Sequence, residues 1–344
     1  MERRRGGAPW RRWLAAPEAS VAFVLVALWL LMGATGKLGL FAAPANQENL
    51  VRSVSLQSIF AVGELLVILT GGIDLSLGSL IAFDGMLLAS VMTRLADGGM
   101  GIPGATAVGV VVVLVFSLGL GLLHATLIHF LRLPPFVVTL ASMSVLRSAA
   151  LLLNNAVPLP IERFELISYL GNGKLYVAGT PFGIPVAAVL LGLIALALIG
   201  VLGFGRVGRH VYAVGSNEEA SRLTGVSVFR ARVFVYGTCS LLAGVAAILY
   251  AGYGGQGDPS AGNMFELNAI SAAVIGGAVL TGGRGSVIGT VLGATLLESI
   301  LSMINLTLSN PTLWRGAVVG GVLLAAVIFN QLRVFAASRR RAAT

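Results

Sequence analysis

Charge is what this sequence has least of. Of its 344 residues, 23 are Lys or Arg and 14 are Asp or Glu, and the resulting 11% is under half the ~25% of a soluble domain. An ordinary soluble protein is excluded. The single cysteine, Cys239, lies inside an apolar run, which excludes a disulfide framework and reads as a small buried hydrophobe. Three histidines, His124, His129 and His210, have no Cys or carboxylate at metal-ligand spacing, so no metal site is expected. The two lysines, Lys37 and Lys174, each follow a glycine but lack the rest of Gly-x-x-x-x-Gly-Lys-Ser/Thr, so the chain holds no P-loop and cannot be its own ATPase of that type. Neither a Gly-x-Ser-x-Gly elbow nor the polar dyad of an intramembrane protease is found, and no catalytic residue is expected. The net charge of +9 does not indicate nucleic acid, because the basic residues sit at the ends of apolar runs, where they act as topology signals.

What is abundant is apolar sequence. Hydrophobic residues make up 56% and the mean hydropathy is +0.91; at about 20 residues per crossing the chain has room for roughly ten spans. Apolar runs cover 19–40, 55–70, 79–93, 105–131, 136–154, 183–203, 233–253, 267–281, 287–306 and 313–331. The fold class is therefore all-α, a polytopic transmembrane bundle of about ten spans over 19–331, between basic tails at 1–18 and 332–344. Several runs are short and broken by glycine, which suggests bent or partly re-entrant helices buried against neighbours, since lipid cannot satisfy broken backbone. The first run is longer than the ~7–15 residues of a signal-peptide core, so cleavage near Phe41–Ala45 is not expected. Alternating the runs puts sixteen Lys and Arg on the side of both termini and six on the other, with Arg147 inside a span; this bias places both termini in the cytoplasm.

Two hydrophilic segments interrupt the runs. Residues 156–182 lie outside, carry Glu162, Arg163, Glu165, Tyr169 and Tyr176 among prolines, and could form a short interfacial helix. Residues 204–232 form the longest cytoplasmic loop, with five arginines, and would meet a cytoplasmic partner. Leu69-Thr70-Gly71-Gly72 is echoed by Leu280-Thr281-Gly282-Gly283, a match short enough to arise by chance in a glycine-rich chain. Gly285, Gly289 and Gly293, and again Gly316 and Gly320, form ladders that let helices approach closely.

Four ionisable residues fall within spans: Glu64, Asp84, Arg147 and Glu298. A charge at a helix centre costs about 2.5–3.5 kcal/mol, so each should face the bundle interior or a polar path. They either line a path or serve structure, for instance with Arg147 paired to an acid. Glu64, Asp84, Asn154, Glu298 and Asn305 are the candidates for a path, whose sparse charge suits a neutral, hydrogen-bonding solute. In the stretch 70–79, Gly71 and Gly72 permit a tight turn, and Asp74 and Ser76 can each satisfy free amides at a helix start.

Residues 70–85 resemble the signature of the membrane subunits of ribose-type ABC importers, the monosaccharide branch of the permease family that also holds branched-chain amino-acid permeases. Pro135–Leu140, Gly208–Val226, and Glu266–Gly277 leading to Gly282-Gly283-Arg284-Gly285-Ser286 agree in order, and the resemblance covers nearly all of 54–331. It implies a ten-helix type II importer permease of the bacterial inner membrane. Its implied partners are a second permease subunit, identical or paralogous, a cytoplasmic ATP-binding subunit that carries the ATP-Mg, and a periplasmic or lipid-anchored sugar-binding protein. No cofactor is expected in this chain. The resemblance makes 217–226 a coupling helix seated in a cleft of the ATPase, through Asn217, Glu218, Glu219, Ala220, Arg222, Leu223 and Gly225; Asn217 can cap it, the two glutamates suit its first turn, and Gly225 can end it. Gly71, Gly72, Asp74, Ser76, Gly283, Arg284 and Gly285 are its structural turns. Relatives often carry asparagines near the middle of the ninth span, where this chain has Glu298-Ser299-Ile300-Leu301-Ser302. Branched-chain amino-acid import and a secondary transporter are the alternatives.

Overall fold

Apolar sequence of this length has one way to satisfy its backbone away from water, and the chain is helical almost throughout. The structure, a computed structural model, describes residues 17–176 and 182–342, with side chains between 21 and 328. The arginines at 3–12 and 333–341 therefore lie outside the described side chains. The helices are α1 (Pro17–Ala34), α2 (Leu38–Phe41), α3 (Pro44–Leu69), α4 (Leu77–Asp97), α5 (Ile102–Phe130), α6 (Pro135–Leu152), α7 (Glu165–Asn172), α8 (Val186–Phe204), α9 (Arg206–Ser216), α10 (Glu218–Leu223), α11 (Val228–Gly254), α12 (Phe265–Ile275), α13 (Val287–Thr307) and α14 (Pro311–Ala342). Two small antiparallel pairings complete the described structure. Strand β1 (Leu159–Pro160) pairs with β4 (Gln256–Gly257), and β2 (Lys174–Tyr176) with β3 (Gly183–Pro185).

Among the described residues eight helices are long and apolar enough to cross a membrane, and two shorter apolar helices, Val21–Ala34 and Phe265–Ile275, stand where the first and eighth runs were read. The segment 156–182 holds a short helix, α7. Helix α14 runs on through residues 332–342 of the basic C-terminal segment. Helix α3 starts eleven residues before its apolar run because its polar first turns have partners: Asn46 and Gln47 donate to the Phe41 carbonyl at 2.8 and 2.6 Å, and Arg52 donates to the Asn172 carbonyl at 3.4 Å.

Helices α3 and α11 form the centre. Almost every residue of α3 from Val54 to Leu69 is buried, and Gly63 meets Cys239 there, where a Cβ would lie 3.1 Å from the cysteine backbone. Cys239 is thus the buried hydrophobe expected of it. Gly121 likewise brings α5 onto the Tyr236–Gly237 backbone of α11. The first glycine ladder works as read, since Gly289 and Gly293 press α13 against the Gly276 and Ala272 carbonyls. The second does not pack helix on helix: Gly316 meets only Met264, and Gly320 faces open space.

Candidate functional site

The loops sort into two ends. At one, Gly283 N donates to the Leu69 carbonyl at 2.9 Å, Tyr212 Oη to the Gly285 carbonyl at 3.0 Å, and Thr139 Oγ1 to the Ile73 carbonyl at 3.1 Å. The echoed Leu-Thr-Gly-Gly turns are therefore neighbours in space, with Gly215 wedged against both Leu69 and Gly283. Gly71, Gly282 and Gly283 hold φ values of +77°, +92° and +73°, the left-handed conformation that only glycine adopts cheaply. Burial pushes the Tyr212 hydroxyl above its ordinary pKa, so it stays a donor to Gly285. This end gathers the arginines at 132, 206, 209, 222, 230, 232 and 284, and we call it the basic end. At the other, the hairpin end, Lys37 Nζ donates to the Leu306 carbonyl at 2.7 Å, Lys174 pairs with Glu48, and Arg163 pairs with Asp97 at 2.8 Å.

Two segments of irregular backbone enter the bundle from these opposite ends. From the basic end, 70–76 carries Asp74 into full burial. Asp74 Oδ1 accepts from Ser76 N at 2.9 Å and from Ser76 Oγ at 2.6 Å, while Asp74 N donates to Glu64 Oε1 at 3.1 Å. Asp74 thus satisfies an amide as expected; Ser76 does not cap α4, because its hydroxyl is spent on Asp74. Gly72 is required because a Cβ there would strike the Tyr236 hydroxyl. His124 Nδ1 stands 3.7 Å from Asp74 Oδ2, beyond hydrogen-bond length, and its Nε2 meets Ser142 Oγ at 2.8 Å.

From the hairpin end, residues 255–264 replace half a helix. Helix α12 has 11 residues, about 16 Å of rise, against a hydrocarbon core of ~30 Å. The missing half is this segment: Gly257 packs on Gly85 and Ala89, Gly262 on Gly78, and Phe265, where the helix begins, stacks on Phe60 in mid-α3 with ring centroids 5.4 Å apart. Backbone broken at membrane depth needs donors, and Arg147 of α6 supplies them, giving to the Pro259 carbonyl at 3.2 Å and the Ala261 carbonyl at 2.6 Å. Arg147 therefore serves carbonyls where an acid was one of the expected partners. A cavity of about 220 Å³ opens against the segment, lined among others by Tyr250, Tyr253, Gln256, Asp258 and Phe265. Its volume suits a small solute, being below the ~300–1,000 Å³ of drug-sized sites.

None of the five path candidates lines that cavity. Glu64 is buried beside Asp74. Asp84 is buried and accepts from Ser117 Oγ at 2.6 Å, under Gly244. Glu298 is buried on α13, Asn305 is exposed near the end of that helix, and Asn154, just past α6, closes a turn onto the Val157 carbonyl at 2.9 Å. Sequence reading missed Tyr250, Gln256, Asp258 and Phe265; the signal available was an eighth run too short for a crossing, preceded by Gly254, Gly255, Gly257, Pro259 and Gly262.

At the basic end the loop 204–232 folds into α9, α10 and the start of α11. Asn217 Oδ1 accepts from Ala220 N at 2.9 Å, Glu218 and Arg222 pair at 3.1 Å one turn apart, and Gly225 ends the helix at φ +82°. Ser221 is buried, whereas Leu223 is 83% exposed. Beside α10 lies a cleft of about 880 Å³ between the α5–α6 corner and the start of α11. Arg284 is exposed at the neighbouring turn, and Gly285 lets Leu65 and Ala278 close over it.

The profile of the family described as "Branched-chain amino acid transport system / permease component" matches residues 46–327. The chain belongs to this permease family. It is 34% identical over 324 residues, 93% of this chain and 95% of the relative, to the ribose import permease protein RbsC of Escherichia coli (strain K12). It is 32% identical over 333 residues, 96% of this chain and 91% of the relative, to the L-arabinose ABC transporter permease protein AraH of Azospirillum brasilense. The ribose import permease protein RbsC of Bacillus subtilis (strain 168) is 32% identical over 294 residues, 85% of this chain and 86% of its own. No solved structure matches the chain. The permease assignment agrees with a helical membrane bundle whose irregular backbone lies inside and lines a cavity, the arrangement by which transporters hold solutes within the bilayer.

Proposed function

We propose that the chain is the membrane-spanning subunit of an ATP-driven importer for a monosaccharide or related polyol. The observation that carries this is the cavity against 255–264. Tyr250, Tyr253 and Phe265 offer aromatic faces, Gln256 and Asp258 offer hydrogen-bonding groups, and no Lys or Arg is among the residues that line it. Such a site suits a neutral, hydroxyl-rich solute with an apolar ring face. An amino acid would need its own pair of opposite charges there, and the ribose and arabinose relatives point to a sugar.

In this reading the basic end faces the cytoplasm with both termini, ten crossings are made by the eight long helices and the two short ones, and the membrane is the bacterial inner membrane. A separate ATP-binding subunit docks on α10 through Leu223, Glu219 and Arg222. A second permease subunit, identical or paralogous, covers the exposed face of α14 that carries Gly316 and Gly320, and a sugar-binding protein delivers solute to the hairpin end. The test is uptake into proteoliposomes holding the whole transporter. Labelled pentoses and polyols should enter in an ATP-dependent way and compete with one another; uptake that responds only to branched-chain amino acids, or needs no ATPase, would replace the reading with one of its alternatives.

A further inference from the structure

We propose that Arg232 is a positioning residue that ties the docking helix α10 to the α5–α6 corner, so that movement of α10 reaches the solute cavity through Glu218, Arg232, His129 and α6. This rests on the reading of α10 as the helix on which the ATPase docks.

Helix α10 is two-sided. Leu223 points outward, but Glu218 turns inward, and its Oε2 accepts from Arg232 Nη2 at 2.8 Å while Oε1 accepts from Arg222. Arg232, whose side chain is only 17% exposed, uses its other arm on His129 Nδ1 at 3.3 Å. A guanidinium only donates, so His129 accepts at Nδ1 and carries its proton on Nε2. His129 sits in the last turn of α5, where its ring lies 5.0 Å from those of Phe130 and Phe229. One planar fork thus holds α10 with one nitrogen and the end of α5 with the other.

Beyond His129 the chain turns through Arg132, whose φ is +52°, and through Pro134 and Pro135 into α6. Two prolines fix their own φ and restrict the residues before them, so this corner is stiff and passes displacement on. Helix α6 then carries Arg147, which holds the Pro259 and Ala261 carbonyls of the broken segment. The cleft of about 880 Å³ beside this route, lined by His129, Arg132, Pro134, Pro135, Glu218 and Arg232 among others, leaves the corner room to move.

The test uses the complete transporter in proteoliposomes, reading uptake, ATP hydrolysis and ATPase co-purification together. Arg232→Gln should keep co-purification and hydrolysis while uptake falls about tenfold, within the ~5–150-fold range of ordinary site-to-site coupling. Arg232→Lys should be as poor, because one ammonium cannot serve Glu218 and His129 as a fork does; rescue by Lys would mean that charge alone matters and would overturn the proposal. Full uptake by Arg232→Gln would also overturn it, as would loss of co-purification with uptake, which would make Arg232 a brace for the docking surface. Should that variant fail to reach the membrane, His129→Asn, which retains an acceptor, should transport and His129→Leu should not; equal transport by the two contradicts the tie. Retained co-purification in Leu223→Asp would instead refute the docking reading itself.

Discussion

The segment 255–264 and the loop around α10 are both departures from regular crossing helices, and they are built in opposite ways. Helix α10 is specified by its own residues: a cap from Asn217, an i,i+4 pair between Glu218 and Arg222, and a left-handed Gly225 at its end. The broken segment has one short local turn, in which Asp258 accepts from Ser260 N at 2.8 Å and from Ala261 N at 3.1 Å, and is otherwise shaped by distant parts of the chain. Its carbonyls at 259 and 261 are served by Arg147 from α6, its short strand pairs with 159–160, and Gly257 and Gly262 let α4 approach. A self-sufficient helix keeps its shape when pushed, which suits a surface that receives force. A segment shaped by its neighbours changes when they move, which suits a site that must release what it holds.

The comparison breaks most visibly at Leu223. Leu223→Asp places a charge in the closed interface proposed for the ATPase, at a cost of several kcal/mol, so co-purification and uptake should both vanish while the bundle stays folded; the check is ATPase pull-down at wild-type membrane levels. Arg147→Met removes the donor to the part-buried Pro259 and Ala261 carbonyls, each costing up to about 1–3 kcal/mol when left unpaired. It should lower the melting temperature in detergent and abolish uptake, and an unchanged melting curve would show that the segment is held by something else. Gly262→Ala forces a side chain into φ +71° and against the Gly78 backbone, and should reduce uptake with a smaller loss of stability than Arg147→Met, measured in the same assays. Phe265→Ala removes stacking on Phe60 and a tilted ring contact with Tyr250, worth about 0.5–1.5 kcal/mol beyond area burial for such pairs. It should raise the half-saturating solute concentration several-fold with α10 docking intact.

The same difference explains what could be read from sequence. Hydropathy located the long helices, because a crossing in lipid needs an unbroken apolar run, and the capped helix at 218–223 was legible because its stop and start signals are adjacent in the chain. The path was not. Glu64, Asp84 and Glu298 stand out as charges within spans, yet Glu64 and Asp84 are held by Asp74 and Ser117. Of the residues that line the cavity, Gln256, Asp258, Ala261 and Gly262 sit in what looks like an ordinary glycine-rich outer loop, to which Arg147 bonds from 112 positions before Pro259. The echo of Leu69–Gly72 at Leu280–Gly283 carried more than its length suggested, since the two turns bond to each other.

Separate regions of one bundle for solute handling and for energy input would show in ATPase co-purification and ATP-driven uptake measured in two variants side by side, Tyr250→Ala and Leu223→Asp. Both should lose uptake, and only Leu223→Asp should lose the ATPase. Co-purification lost in both variants, or uptake retained by Tyr250→Ala, would contradict that separation.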